Sequence, residues 1–334
     1  MMPRRWRAVA AAVCVALIAA GVAWWSVRAS NSSAQKLSGT RRGAVAPRSG
    51  AGPRSTTGSR VAPERRAGPP WKVASTVITV EDASRSTPAR GAVPGHAGRS
   101  LRTVVRWPVT ATGEPIAGRL PLVVFAHGFR VSVDTYRDLL DAVAASGMVV
   151  AATELPGESS ALDGTPNESD LSNEPCDLEA VAASLAEAPP PALAGHLADA
   201  PVVFMGHSDG ATAAAAAGFE VHSCRGPRAV AVVALSSNDI AITVSSPQPA
   251  LLAITGTMDE VNPAPNTQRL WSHVAGPAWL LTVDGGTHLG PVTSDAIRPE
   301  IAAVIVTFVR AHTVDATNST PPPIANGRLH LSIR

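Results

Sequence analysis

Pro201-Val-Val-Phe-Met-Gly-His-Ser-Asp-Gly-Ala211 decides how the rest of the chain is read. Residues Pro201 to Met205 are a short apolar run, the signature of a buried strand. The run ends in Gly206-His207-Ser208-Asp209-Gly210, and the small residues from Ala211 to Gly218 read as a helix. A strand, a tight turn and a helix with G-x-S-x-G at the bend are the parts of a nucleophile elbow. Such a bend strains the serine backbone and lifts Ser208 above the end of the sheet. The helix N-terminus beneath it offers free N–H groups and a dipole that favour negative charge.

A serine used for acyl transfer needs a base, a group that orients the base, and N–H donors for the oxyanion. In a strand–elbow–helix arrangement the chain order is serine, acid, histidine. The apolar run Ala250–Thr255 is followed by Gly256-Thr257-Met258-Asp259, which puts Asp259 in a loop at the serine's end of the sheet. The run Ala278–Val283 is followed by Asp284-Gly285-Gly286-Thr287-His288. Ser208, Asp259 and His288 are therefore the expected catalytic residues. Two other acids compete for the orienting role, Asp239 after the strand Ala229–Leu235 and Asp284 on the histidine's own loop. Asp259 is preferred because it can approach Nδ1 from the far side of the imidazole. The oxyanion donors expected are the backbone N–H groups of Asp209 and of Phe129, in His127-Gly128-Phe129 after the strand Leu120–Ala126. His207 is read as structural, and His96, His196, His222, His273, His312 and His330 as surface residues.

Strands and helices alternate through the ordered chain. Strands are expected at Leu120–Ala126, Met148–Ala152, Pro201–Met205, Ala229–Leu235, Ala250–Thr255 and Ala278–Val283. Helices are expected at Tyr136–Ala145, Asp177–Ala188, Ala211–Gly218, Thr267–Val274 and Ile297–Ala311. This implies an α/β fold with a mostly parallel sheet covered by helices on both faces. The earlier strands Val73–Val80 and Leu101–Val109 fit its edge. Too few residues separate Leu235 from Ala250 for a large cap domain. Only the polar stretch from Leu155 to Pro175 is placed to cover the cleft, which should be open and shallow. From Asp138 to Cys224 there is no Lys or Arg against 14 acids. That imbalance reads either as a solvated surface or as an acidic mouth that disfavours anionic esters.

The 334 residues carry a net charge of only +2. Residues 1–66 nevertheless hold 12 Lys and Arg and one acid, Glu64. Nothing in the body supports nucleic acid as a partner. Ala8–Val27 is free of charges, is preceded by Arg4, Arg5 and Arg7, and is flanked by Trp6, Trp24 and Trp25. A helix of that length is about 30 Å long, enough to cross a bilayer core. Residues 1–29 are therefore expected to anchor the chain in the cell membrane with the body outside the cytoplasm. A cleaved signal peptide is the competing reading. Residues 30–70 should be a disordered linker, 71–312 the folded domain and 313–334 a polar tail. Of the three cysteines, Cys176 and Cys224 are the pair to consider. The parallel arrangement argues against a bridge, because it sets Cys176 at the serine's end of the sheet and Cys224 beyond the opposite end. A monomer without metal or cofactor is expected.

Three segments carry a family likeness: Leu122-Val-Val-Phe-Ala-His-Gly-Phe129, Ala145-Ser-Gly-Met-Val-Val150 and Gly206-His-Ser-Asp-Gly210. Through them the chain resembles an α/β-hydrolase of the serine-esterase type. It is similar to bacterial relatives of plasma platelet-activating-factor acetylhydrolases and chlorophyllases, over roughly residues 73–311. The resemblance implies hydrolysis of small or medium acyl esters through an acyl-enzyme, without a cofactor. It assigns Ser208, Asp259 and His288 to the triad and Phe129 and Asp209 to the oxyanion hole. Ala211 departs from the second glycine usual in this subgroup. A peptidase or amidase on the same scaffold, or a catalytically silent binding module of the cell envelope, are the alternative functions.

Overall fold

The computed structural model describes residues 70–334 except 198, 221–223, 225, 240–241, 245 and 315–320. The membrane-anchor and linker expectations for residues 1–69 fall outside the described residues. No helix among the described residues is long and apolar enough to cross a membrane.

Nine strands form one sheet: β1 (Lys72–Asp82), β2 (Arg99–Val109), β3 (Leu122–Ala126), β4 (Val149–Thr153), β5 (Val202–His207), β6 (Ala229–Leu235), β7 (Ala250–Gly256), β8 (Ala278–Val283) and β9 (Leu329–Ile333). Their order is β1-β2-β4-β3-β5-β6-β7-β8-β9. Strands β3 to β8 are mutually parallel, while β1, β2 and β9 run antiparallel to their neighbours. The parallel centre follows from composition. Every residue of β3, β4, β5 and β7 is buried, as strands covered on both faces must be. By contrast β1 alternates between exposed and part-buried positions, as an edge strand does.

The period of two divides the core. Val123 and Phe125 of β3 join Val203 and Met205 of β5 on one face. There they pack against α1 (Arg137–Ala144) and α6 (Arg298–Thr313) through Leu139, Leu140, Ile305 and Phe308. Val124 and Phe204 face the other way. That face is covered by α2 (Glu174–Glu187), α3 (Asp209–Phe219) and α4 (Ala264–His273). A four-residue helix α5 (Gly290–Thr293) lies between β8 and α6. Strand order reverses around β3, which pairs with β4 on one side and β5 on the other. A crevice at the carboxyl ends of the strands is expected at such a reversal. Ala126 pairs with Gly206, so the loop after β3 and the elbow after β5 leave the sheet side by side.

Three features differ from the sequence expectations. Residues 313–334 are not only a polar tail. Leu329–Ile333 forms β9 on the free edge of β8, a five-residue strand whose pairing partner, not its own pattern, defines it. Next, Cys176 and Cys224 are bridged, with their Cα atoms 5.4 Å apart. Gly226 lies so close to α2 that an added Cβ would fall 2.3 Å from Cβ of Glu179. Gly226 N–H also donates to the Glu179 carboxylate (3.1 Å). Cys224 is thereby carried to the first turn of α2. Closing this loop is worth about 4 kcal/mol on a chain-entropy estimate.

Finally, several acids of the cover segment are buried rather than solvated, while Asp163 and Glu168 are exposed. Glu158, Asp170, Glu174 and Asp177 point inward and are fully buried. The cation for Asp170 and Asp177 comes from the first residue of β2, far away in sequence. Arg99, 1% exposed, donates from Nε to Asp177 (2.7 Å) and from Nη1 and Nη2 to Asp170 (2.9 and 2.8 Å). Arg90 donates to the carbonyls of Pro156, Ser159, Leu162 and Asp163 and pins the loop's turns.

Candidate active site

The elbow is built on close approach. A Cβ at Gly206 would fall 2.0 Å from the Gly210 carbonyl oxygen, and one at Gly210 would fall 2.3 Å from that of Ala126. Only glycine lets strand, turn and helix meet in this way. Ser208 between them has φ +59° and ψ −123°, a conformation that L-residues rarely adopt. Its N–H donates to the Leu235 carbonyl (2.9 Å), which ties the strained residue to β6.

Loops after β7 and β8 bring the other two residues to it. His288 Nε2 lies 3.0 Å from Ser208 Oγ. His288 Nδ1 lies 2.9 Å from Oδ2 and 3.0 Å from Oδ1 of Asp259. An ionised carboxylate only accepts, so Nδ1 carries the proton and Nε2 is free to accept from the serine hydroxyl. Burial alone would raise the Asp259 carboxyl. The hydrogen bonds from His288 and from Asn262 N–H outweigh it and hold the group below the ordinary aspartate value. The competing acids are engaged elsewhere, Asp239 with Arg269 (2.6 Å) and Asp284 with His330 (2.9 Å).

The loop after β3 abuts Ser208. A Cβ at Gly128 would stand 3.0 Å from Cβ of Ser208, so Phe129 begins beside the elbow. Among the described residues the N–H groups of Phe129 and Asp209 donate to no protein acceptor. Arg130, the next residue, has φ +60° and stacks over the Phe129 ring at 5.0 Å.

Sequence reasoning missed Asn262. Its Nδ2 donates to the Ser236 carbonyl (2.7 Å) and stands 3.4 Å from Ser208 Oγ, while its N–H donates to Asp259 Oδ1 (2.8 Å). The only sequence signal was its place three residues after the acid. It also missed the acids beneath the elbow. The carboxyl groups of Glu158 and Glu174 face each other, and Glu158 also faces the Asp209 carboxyl. Burial, then the Asp209 carboxyl, pushes Glu158 up to about 9. Burial, then Glu158, pushes Glu174 well above the carboxylate range. Both carboxyls are thereby biased toward the neutral form, which leaves the positive end of α3 its potential for an anion. Among the described residues no group of His, Cys, Asp and Glu is placed to hold a metal ion.

The chlorophyllase family model matches residues 100–255, from β2 to the end of β7. The chain has an α/β-hydrolase fold, and over these residues it is similar to the chlorophyllase family. That likeness points to a hydrolase acting on esters, and the matched region contains Phe129, Ser208 and Asp209 but ends before Asp259 and His288. No curated protein is detectably similar to it in sequence.

Proposed function

We propose that the chain cleaves carboxylic acyl esters through an acyl-enzyme on Ser208. The observation that carries this reading is the contact of His288 with Ser208 Oγ on one side and Asp259 on the other. Ser208 Oγ attacks the ester carbonyl carbon as its proton passes to His288 Nε2. The ionised Asp259 holds the tautomer and stabilises the imidazolium that forms. The carbonyl oxygen, now negative, takes hydrogen bonds from Phe129 and Asp209 N–H. Collapse breaks the C–O bond, His288 returns the proton to the leaving alkoxide, and water repeats the sequence to free the acid. Met258 and Val261, 59% and 64% exposed on either side of Asp259, support an apolar group beside the scissile ester. The substrate class is therefore small or medium neutral acyl esters. Substituting Ser208→Ala should lower kcat for such an ester on the order of 10⁶-fold. Retention of a tenth of wild-type turnover would contradict the assignment.

The Cys176–Cys224 bridge supports an oxidising compartment. With Ala8–Val27 as anchor, we place the enzyme on the outer face of the cell membrane. Activity that resists carbonate extraction from membranes would support this, and a mature N-terminus at Ser30 would instead mark a cleaved signal.

A further inference from the structure

A chain of buried hydrogen bonds runs behind the nucleophile from one catalytic loop to another. Gly128 N–H reaches Tyr136 Oη (3.2 Å), Tyr136 Oη reaches His207 Nδ1 (2.9 Å), and His207 Nε2 reaches the His288 carbonyl (2.9 Å). Every proton in it is fixed by chemistry. A backbone N–H can only donate, and a carbonyl can only accept. His207 must therefore carry its proton on Nε2, its Nδ1 must accept, and the tyrosine hydroxyl donates to it while accepting from Gly128. Tyr136 is wholly buried and His207 is 1% exposed. The Tyr136 ring also packs on Phe125 (4.8 Å), and the His207 ring on His288 (4.6 Å). Burial, then the neighbouring His288, pushes His207 down to about 3, so it stays neutral through the working range.

We propose that Tyr136 and His207 are positioning residues that fix the oxyanion loop and the His288 loop relative to each other across the elbow. This rests on the ester reading above. Phe129 N–H follows Gly128 directly, and the imidazole of His288 hangs from the carbonyl that His207 holds. The oxyanion donor and the base must both stand within a few tenths of an ångström of their working places, and a rigid link between their loops provides that. Apolar side chains would fill the same space, but they would leave both loops untethered and Gly128 N–H without an acceptor.

Tyr136→Phe keeps the ring and removes the hydroxyl. It should lower kcat about tenfold and leave KM within about twofold, as expected for lost transition-state geometry. Combined with His207→Leu, it should cost little beyond His207→Leu alone, because both break one chain. His207→Gln, which can still donate to the His288 carbonyl, should retain more activity than His207→Leu. In the unsubstituted full chain, nitrogen NMR should find His207 as the Nε2–H tautomer from pH 5 to pH 9. An unchanged kcat for Tyr136→Phe, additive losses, or an Nδ1–H tautomer or imidazolium for His207 would overturn the proposal. Should Tyr136→Phe not fold, the glutamine and leucine variants carry the kinetic comparison, and equal activities would overturn it. An Nε2–H tautomer in a chain without esterase activity upholds the link and places the failure in the ester reading.

Discussion

Replacing Arg99 by methionine removes a cation buried between two carboxylates and keeps the apolar stem. Asp170 loses two hydrogen bonds, from Nη1 and Nη2. Asp177 loses its partners at Nε and Nη2. Some compensation survives, since Arg85 stays 2.7 Å from Asp177 and Asn173 still donates to Asp170 (2.7 Å). Breaking a buried ion pair from one side costs about 3–5 kcal/mol, and the surviving partners argue for the lower end, about 3 kcal/mol. For a folded body of about 265 residues the unfolding entropy is about 0.56 kcal/mol per degree, so Tm should fall by about 5 °C. Differential scanning calorimetry of the full chain at pH 8 measures this directly. The deficit should shrink toward pH 4, where stranded carboxylates take up protons. Adding Asp170→Asn and Asp177→Asn should recover at least half of it, while Arg99→Lys, without the two-pronged fork, should not. A Tm change under about 2 °C, or a deficit that grows on acidification, would refute the claim that Arg99 compensates these buried acids.

Asp259→Asn should lose about 10⁴ in kcat at neutral pH, because the amide cannot hold the His288 tautomer or stabilise its imidazolium. Asp239→Asn and Asp284→Asn, measured in the same assay, should keep most of it. Glu158→Gln should change the pH dependence of stability. An acid raised from 4.5 to about 9 stabilises the fold fully below pH 4.5, and that contribution is lost as pH rises toward 9. Thermal melts should show the wild-type Tm falling between pH 5 and pH 9 and a flatter profile for Glu158→Gln. Parallel profiles would refute the assignment of a buried neutral acid.

What could be read from the sequence was local. The elbow is legible because strand, bend and helix are contiguous and Gly206 and Gly210 mark the close approaches. Asp259 and His288 are legible as candidates because each directly follows an apolar run, and the structure sets them against Ser208. The central strands declare themselves as runs buried on both faces. What escaped depends on contacts between distant segments. Asp170 and Asp177 look solvated only while Arg99 is left out, and that arginine precedes them by dozens of residues. The approach of Gly226 to Glu179 of α2, beside the Cys176–Cys224 bridge, has no sequence pattern of its own. The same holds for β9, which takes its form from the edge of β8. His207 was legible as a structural histidine and Tyr136 only as the start of a helix, neither as the other's partner.

The account stands on Ser208 being an activated nucleophile. The most direct measurement is intact-protein mass spectrometry after a fluorophosphonate ester is added to the full chain, followed by peptide mapping. The account predicts one adduct per chain, on Ser208, formed slowly in Asp259→Asn and absent from Ser208→Ala. An unlabelled wild-type chain, or an adduct on another residue that persists in Ser208→Ala, would contradict it.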